Sequence, residues 1–188
     1  IIRKTAEALA WAWEKHRLIH RDIKPSNIMI DKDGNPRLLD MGLSKSLNEV
    51  TRLGVLATMI GTPNYMSPEQ ARGEKDIDFR ADMYSLGATL YHMITGRIPF
   101  AVSNIMEVLH KQISEPLPDP REFAPELSDG CLKLMEFMLA KNPDQRHRDW
   151  ASLIADLDGV MAGTEPGRPP LGAGDSVLLR LDDEQVAK

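Results

Sequence analysis

The segment His20-Arg21-Asp22-Ile23-Lys24-Pro25-Ser26-Asn27 places an ammonium two residues and an amide five residues after the carboxylate of Asp22. Phosphoryl transfer uses such groups: a base for the incoming hydroxyl, a cation for the moving phosphoryl charge, and a neutral oxygen ligand for magnesium. A second carboxylate, Asp40, follows in Leu38-Leu39-Asp40-Met41-Gly42, where a divalent ion could be shared with Asn27. Asp22 beside a cation stays ionised, so its part would be alignment and late proton acceptance. The plainer reading of Asp22 and Lys24 is a pair of solvated loop charges. The tripeptide alone is weak evidence, because His147-Arg148-Asp149 repeats it with Ala151 and Ile154 at the matching offsets. That copy lacks the cation and the metal ligand, and reads as a surface turn and helix cap.

Several elements must position these groups. Ile2, Ala6, Leu9, Ala10 and Trp13 recur at helical spacing, so residues 2–17 read as an amphipathic helix. Trp11 and Trp13 are expected to pack rather than form a ligand box, with at least one on the apolar stripe. Short apolar runs flank Asp31-Lys32-Asp33-Gly34-Asn35, which predicts a hairpin turn. Such a hairpin would put Asn27 and Asp40 at its two open ends, on one side. Residues 43–66 read as a long polar loop, and long loops in compact domains tend to be functional. Ser67-Pro68-Glu69-Gln70 opens a short helix with a capping box.

Residues 81–95 are apolar on most faces, which predicts a buried helix ended by Gly96. Further helices are expected over 104–114, around Cys131–Leu139, and from Trp150 to Met161 with Asp149 as cap. Pro116, Pro118, Pro120 and Pro125 mark a rigid loop between them. After Ala162 the chain turns Gly- and Pro-rich, as a linker does, and Val177–Leu181 could add a strand to something. The expected division is a domain over 1–161 and a flexible linker or tail over 162–188.

With 188 residues the chain is one domain, or one domain and a tail. A net charge of −5 argues against nucleic acid as the main partner. Cys131 is the single cysteine, so no intrachain disulfide can form, and a reducing, cytoplasmic compartment fits. No apolar run is long enough to cross a bilayer. The chain begins at Ile1 directly in a helical pattern, as a fragment would.

The blocks around Asp22 and Asp40 resemble the catalytic and magnesium loops of protein kinases. The likeness continues through Gly61-Thr62-Pro63-Asn64-Tyr65-Met66-Ser67-Pro68-Glu69, Asp82-Met83-Tyr84-Ser85-Leu86-Gly87 and Arg146, over roughly residues 1–161. The style of these blocks is most similar to bacterial kinases of the eukaryotic type. The resemblance implies a mainly α fold: the helical C-terminal lobe of a kinase, with a small β-hairpin carrying both loops. The smaller β lobe, with its Gly-rich loop and strand lysine, is absent from this sequence and would be a partner the lobe needs. ATP and Mg²⁺ are the implied cofactors and a protein Ser/Thr side chain the implied acceptor.

By resemblance, Asp22, Lys24, Asn27 and Thr62 carry catalysis, and Asn27 and Asp40 ligate the metal. Lys24, Asn27, Met29 and Asp40 bind the nucleotide, with Met29 under the adenine; plain core packing is the alternative for Met29. Arg21 would receive a phosphate on the long loop, first from Thr58, then Thr51, with Ser44 and Ser46 weaker candidates. His20, Glu69, Asp82 and Arg146 would be structural: Glu69 and Arg146 as a buried ion pair, Asp82 as acceptor of loop N–H groups. Met41 departs from the family's usual Phe, which touches the active-to-inactive balance rather than the fold. In bacterial kinases of this type a Pro-rich linker often leads to a membrane anchor, so the parent could be anchored through residues 163–174.

A non-catalytic docking module of pseudokinase type is the competing reading; a small-molecule phosphotransferase is a third. The four intact polar groups oppose the first, and Lys24 with the Gly61–Glu69 segment opposes the second. The isolated chain is expected to be a poor catalyst. Whether two chains pair is left open by the sequence.

Overall fold

The computed structural model describes residues 1–39, 63–168, 171 and 177–179. The architecture is mainly helical. Helix α1 spans Ile2–His16 and buries Ile2, Ala6, Leu9 and Ala10 on one stripe, as the periodicity predicts. Trp13 belongs to that stripe and meets Phe79 at 5.0 Å between ring centroids, whereas Trp11 is 57% exposed. Arg17 ends the helix in the left-handed region, at φ 51°.

Strands β1 (Ile28–Ile30) and β2 (Pro36–Leu38) pair antiparallel, with Ile28 opposite Leu38. Asp31 closes the turn between them by accepting the amides of Asp33 and Asn35 at 3.0 and 2.8 Å. The hairpin expected around Asp33-Gly34 is therefore present.

Helix α2 (Pro68–Ala71) carries the capping box expected at Ser67 and Gln70. Helix α3 (Arg80–Thr95) is buried along most of its length, from Ala81 to Thr89 and again at Tyr91. Its Gly87 lies against Helix α5 (Asp129–Met138): an added Cβ would sit 2.7 Å from Met138 Cβ, so no larger residue fits that close approach. Gly96 ends α3 at φ 66°, a conformation that costs glycine little. Helix α4 (Ile105–Ser114) is capped by Asn104, α5 by Ser128, and α6 (Trp150–Met161) by Asp149 with Ser152 in a capping box.

Helix α3 sits between α1 and α5, and α6 packs on α1 and α5. One core cluster joins Leu9, Met83, Leu86, Met138 and Leu153. A second joins Tyr65, Tyr84, Tyr91, Leu117 and Met135.

Two findings differ from the sequence expectations. The Pro-rich stretch after α4 contains strand β3 (Leu117–Pro118) and a 3-10 turn, Pro120–Glu122, rather than loop alone. Strand β4 (Leu178–Leu179) pairs parallel with β3, so the segment thought able to add a strand adds it to this domain. Val177 and Leu178 are buried in the second core cluster, because Leu117 offers an apolar edge that the tail can cover. Arg168 also packs back, its guanidinium 4.7 Å from the Phe137 ring centroid. Among the described residues no helix is long and apolar enough to cross a membrane.

Candidate active site

The His20–Asn27 loop connects α1 to β1 and is held in place from below by α3. Asp82, in the first turn of that helix, is buried and points both carboxylate oxygens at the loop. Oδ2 accepts the His20 amide at 2.7 Å and Oδ1 the Arg21 amide at 2.8 Å. Burial pushes the Asp82 carboxyl above its usual range, and the two amide bonds and the charge of Arg21 pull against that. Arg21 sits at φ 68°, a left-handed conformation that a non-glycine residue keeps only when its surroundings enforce it.

His20 is buried and ties the loop to the hairpin. Its Nε2 bonds the Leu39 carbonyl at 2.9 Å, and its Nδ1 accepts the Asp22 amide at 3.3 Å. A carbonyl can only accept, so the ring is protonated at Nε2 and bare at Nδ1. Leu39 in turn donates its amide to the Asn27 carbonyl at 2.9 Å. The residue that precedes Asp40 is thus fastened beside Asn27.

Two of the candidate groups converge on one oxygen of a third, Asp22. Lys24 Nζ lies 2.9 Å from Asp22 Oδ2. Asn27 Nδ2 donates to the same oxygen at 2.9 Å and to the Asp22 carbonyl at 2.8 Å. The Asp22 and Lys24 side chains keep 12% and 17% of their surface exposed, so a reacting group can approach them. Since a carboxylate accepts and never donates, the Asn27 amide nitrogen must face Asp22, which leaves Oδ1 as the neutral oxygen of the pair. The short 3-10 turn Pro25–Asn27 fixes that orientation.

Glu69 and Arg146, far apart in the chain, form a two-pronged buried pair: Nη1 to Oε1 at 2.7 Å and Nη2 to Oε2 at 2.8 Å. Arg146 also donates to the carbonyls of Ala140 and Arg80, both at 2.8 Å, and lies 5.1 Å from the Tyr84 ring centroid. Burial would raise the Glu69 carboxyl, yet the bonds and charge of Arg146 hold it below its usual range.

Met29 is 55% exposed among the described residues. Asp40, Met41, Ser44, Ser46, Thr51, Thr58 and Thr62 lie outside the described residues. One bridge was not foreseen. Gln70, beyond its part in the capping box, donates Nε2 to the Arg21 carbonyl at 2.9 Å. It links the segment after Thr62 to the catalytic-type loop, and the capping role already accounted for its presence in the sequence. The second tripeptide also departs from expectation. Asp149 caps a helix as predicted, but His147 is buried rather than on a surface turn, with Nε2 3.0 Å from Asp156 Oδ2 and Phe137 edge-on. A cavity of about 320 Å³ is lined by Trp13, Phe79 and Trp150 among others, and by none of the candidate groups.

Comparison with known proteins agrees with this geometry. The family model described as "Protein kinase domain" matches residues 1–154. Serine/threonine-protein kinase PknB of Mycolicibacterium smegmatis is 42% identical over 177 residues, which cover 90% of this chain and 27% of that protein. The DNA damage-responsive serine/threonine-protein kinase RqkA of Deinococcus radiodurans is 40% identical over 141 residues, 73% of this chain and 20% of that protein. PknB of Mycobacterium tuberculosis H37Rv is 37% identical over 174 residues, 90% and 27% of the two chains. This chain therefore spans roughly a quarter of the length of the curated relatives it matches. On the extent of that match and the identities of these relatives, the chain belongs to the protein kinase domain family and is homologous to bacterial serine/threonine-protein kinases.

Proposed function

We propose that this chain is the larger, helical lobe of a kinase catalytic domain, and that its site transfers the γ-phosphoryl group of ATP to a Ser or Thr hydroxyl of a protein. The observation that carries this reading is the pinned carboxylate of Asp22, held at 2.9 Å by both Lys24 and Asn27 on a loop clamped by Asp82. Asp22 aligns the acceptor hydroxyl. As the new O–P bond forms, the bond from γ-phosphorus to the β–γ bridging oxygen breaks, ADP leaves, and the hydroxyl proton passes to Asp22. Lys24 offsets charge on the moving group.

Asn27 Oδ1 and Asp40 would hold Mg²⁺. Hard oxygen donors, one neutral and one charged, fit that ion, and when bound it supplies charge neutralisation on the phosphates. The exposed Met29 thioether can floor an adenine ring. Thr62 would reach Asp22 and Lys24, the pairing expected for Ser/Thr acceptors. Arg21 would take a phosphate from Thr58 or, second, Thr51. A buried Arg21 Nε with no hydrogen-bond partner among the described residues supports an anion there. Residues 162–188 would be a tail after the 1–161 domain that folds back onto it at Arg168 and at Val177–Leu179. The sequence holds no G-x-G-x-x-G loop to grip the β- and γ-phosphates, so strong activity should need the smaller β lobe.

The test is transfer of labelled γ-phosphate from ATP to myelin basic protein by the full-length protein. Asp22→Asn should reduce it by about 10²- to 10⁴-fold. Undiminished transfer in that variant would sink the assignment. A Thr58→Ala form as active as wild type would remove the phosphate switch while leaving the transfer chemistry standing.

A further inference from the structure

The 3-10 turn Pro63–Tyr65 is gripped by side chains that no step of the transfer uses. Gln112, buried on α4, donates Nε2 to the Pro63 carbonyl at 3.1 Å. Its Oε1 accepts the Tyr84 hydroxyl at 2.6 Å. Lys141 Nζ donates to the Gln112 backbone carbonyl at 2.9 Å and to the Tyr84 hydroxyl at 3.2 Å. On the other flank, Asn64 Nδ2 donates to the carbonyls of Pro99 and Phe100, both at 2.9 Å. The Phe100 ring centroid is 5.1 Å from Lys141 Nζ. The Pro63 carbonyl also accepts the Met66 amide at 3.2 Å, so Gln112 holds the atom that closes the turn.

A leucine would fill the Gln112 site without any demand for partners. A buried glutamine with both ends of its amide engaged instead specifies one geometry, since any slip strands polar atoms in the interior. Burial and then the charge of Arg146 pull the Lys141 ammonium down to about 7, against Glu115. Its amine form has two N–H donors, matching its two acceptors here.

We propose that Gln112, oriented by Tyr84 and Lys141, is a positioning residue for the protein substrate: it sets the Pro63–Tyr65 turn that directly follows Thr62, the residue proposed above to reach Asp22 and Lys24, and leaves ATP binding untouched. The inference rests on the kinase reading above.

The test uses the full-length protein and two variants, Gln112→Met and Lys141→Met. Each keeps side-chain length and removes hydrogen-bonding groups. Amide exchange of Met66 should speed up about 5- to 10-fold, the loss of one ordinary net hydrogen bond, while amides of α1 and α6 keep wild-type rates. KM for myelin basic protein should rise by a similar factor, with KM for ATP and kcat within about twofold. Unchanged Met66 exchange in both variants overturns the proposal, as does faster exchange throughout the domain or an equal rise in both KM values. Exchange reports on the turn even if no transfer occurs; loss of transfer in wild type would instead count against the kinase reading.

Discussion

At His20-Arg21-Asp22 the histidine ring bonds a backbone carbonyl, whereas at His147-Arg148-Asp149 it bonds the carboxylate of Asp156. Both histidines are buried. The arginines diverge more. Arg21 is forced to a positive φ with its amide on Asp82, while Arg148 leaves 87% of its side chain in solvent. The aspartates diverge most. Asp22 collects Lys24 and Asn27 on one oxygen and stays open to a ligand. Asp149 spends its carboxylate on the Ser152 amide at 2.7 Å, which with the Ser152 hydroxyl and Arg148 holds its pKa below the usual range. One tripeptide thus opens a loop that gathers polar side chains in one setting and starts a helix in the other. The difference comes from what stands two and five residues on, and from Asp82 underneath.

The largest effect should separate the two aspartates by function. Asp22→Asn should cost about 10²- to 10⁴-fold in phosphate transfer by the full-length protein, and Asp149→Asn, which preserves cap chemistry, about twofold at most. Comparable losses in both would end the distinction.

Next, Arg146 adjoins the second tripeptide but pairs with Glu69, buried on helix α2, whose Gln70 bonds the first tripeptide's loop. Arg146→Ala leaves Glu69 as an unpaired buried charge, and should lower unfolding free energy by about 3–5 kcal/mol in urea titration. A loss below about 1 kcal/mol would mean that the pair is exposed to water in solution.

Asp149→Ala should cost only about 1 kcal/mol, the worth of an N-cap, with transfer activity unaffected at temperatures where the protein stays folded. No change in stability would show that Ser152 alone starts the helix.

The smallest effect concerns His147. Burial lowers its pKa, and the bond to Asp156 only partly restores it. The unfolded chain then binds a proton that the folded one resists, so His147 contributes stability above about pH 6.5 that is lost as pH falls toward its lower folded value. Urea midpoints should drop between about pH 7 and 5.5, and His147→Gln should flatten that drop. Equal drops in both proteins would place the proton elsewhere.

Much of this was legible in sequence. The offsets Asp22, Lys24 and Asn27, the helix caps at Ser67 and Asp149, the Asp33-Gly34 turn and the buried stripe of α3 are local matters. Their chemistry is set by neighbours within a turn or two, so periodicity and cap residues disclose them. The linkage of Asp82 to the His20 and Arg21 amides, and of Glu69 to Arg146, could be named only through family likeness. Spacings of 62 and 77 residues carry no local signal.

Other features waited for the tertiary structure. His147 looks like any polar turn residue until Phe137 and Asp156 close around it. Gln112 looks like a polar interruption of an amphipathic helix until Tyr84, Lys141 and Pro63 meet it. The tail strand at Leu178 needs Leu117 as its partner. Sequence by itself determined which groups could do chemistry and where helices start and stop, because those depend on backbone bonding close along the chain. Which polar groups are buried, and what each then bonds, only the packing of distant segments decided, because burial is a property of the whole core.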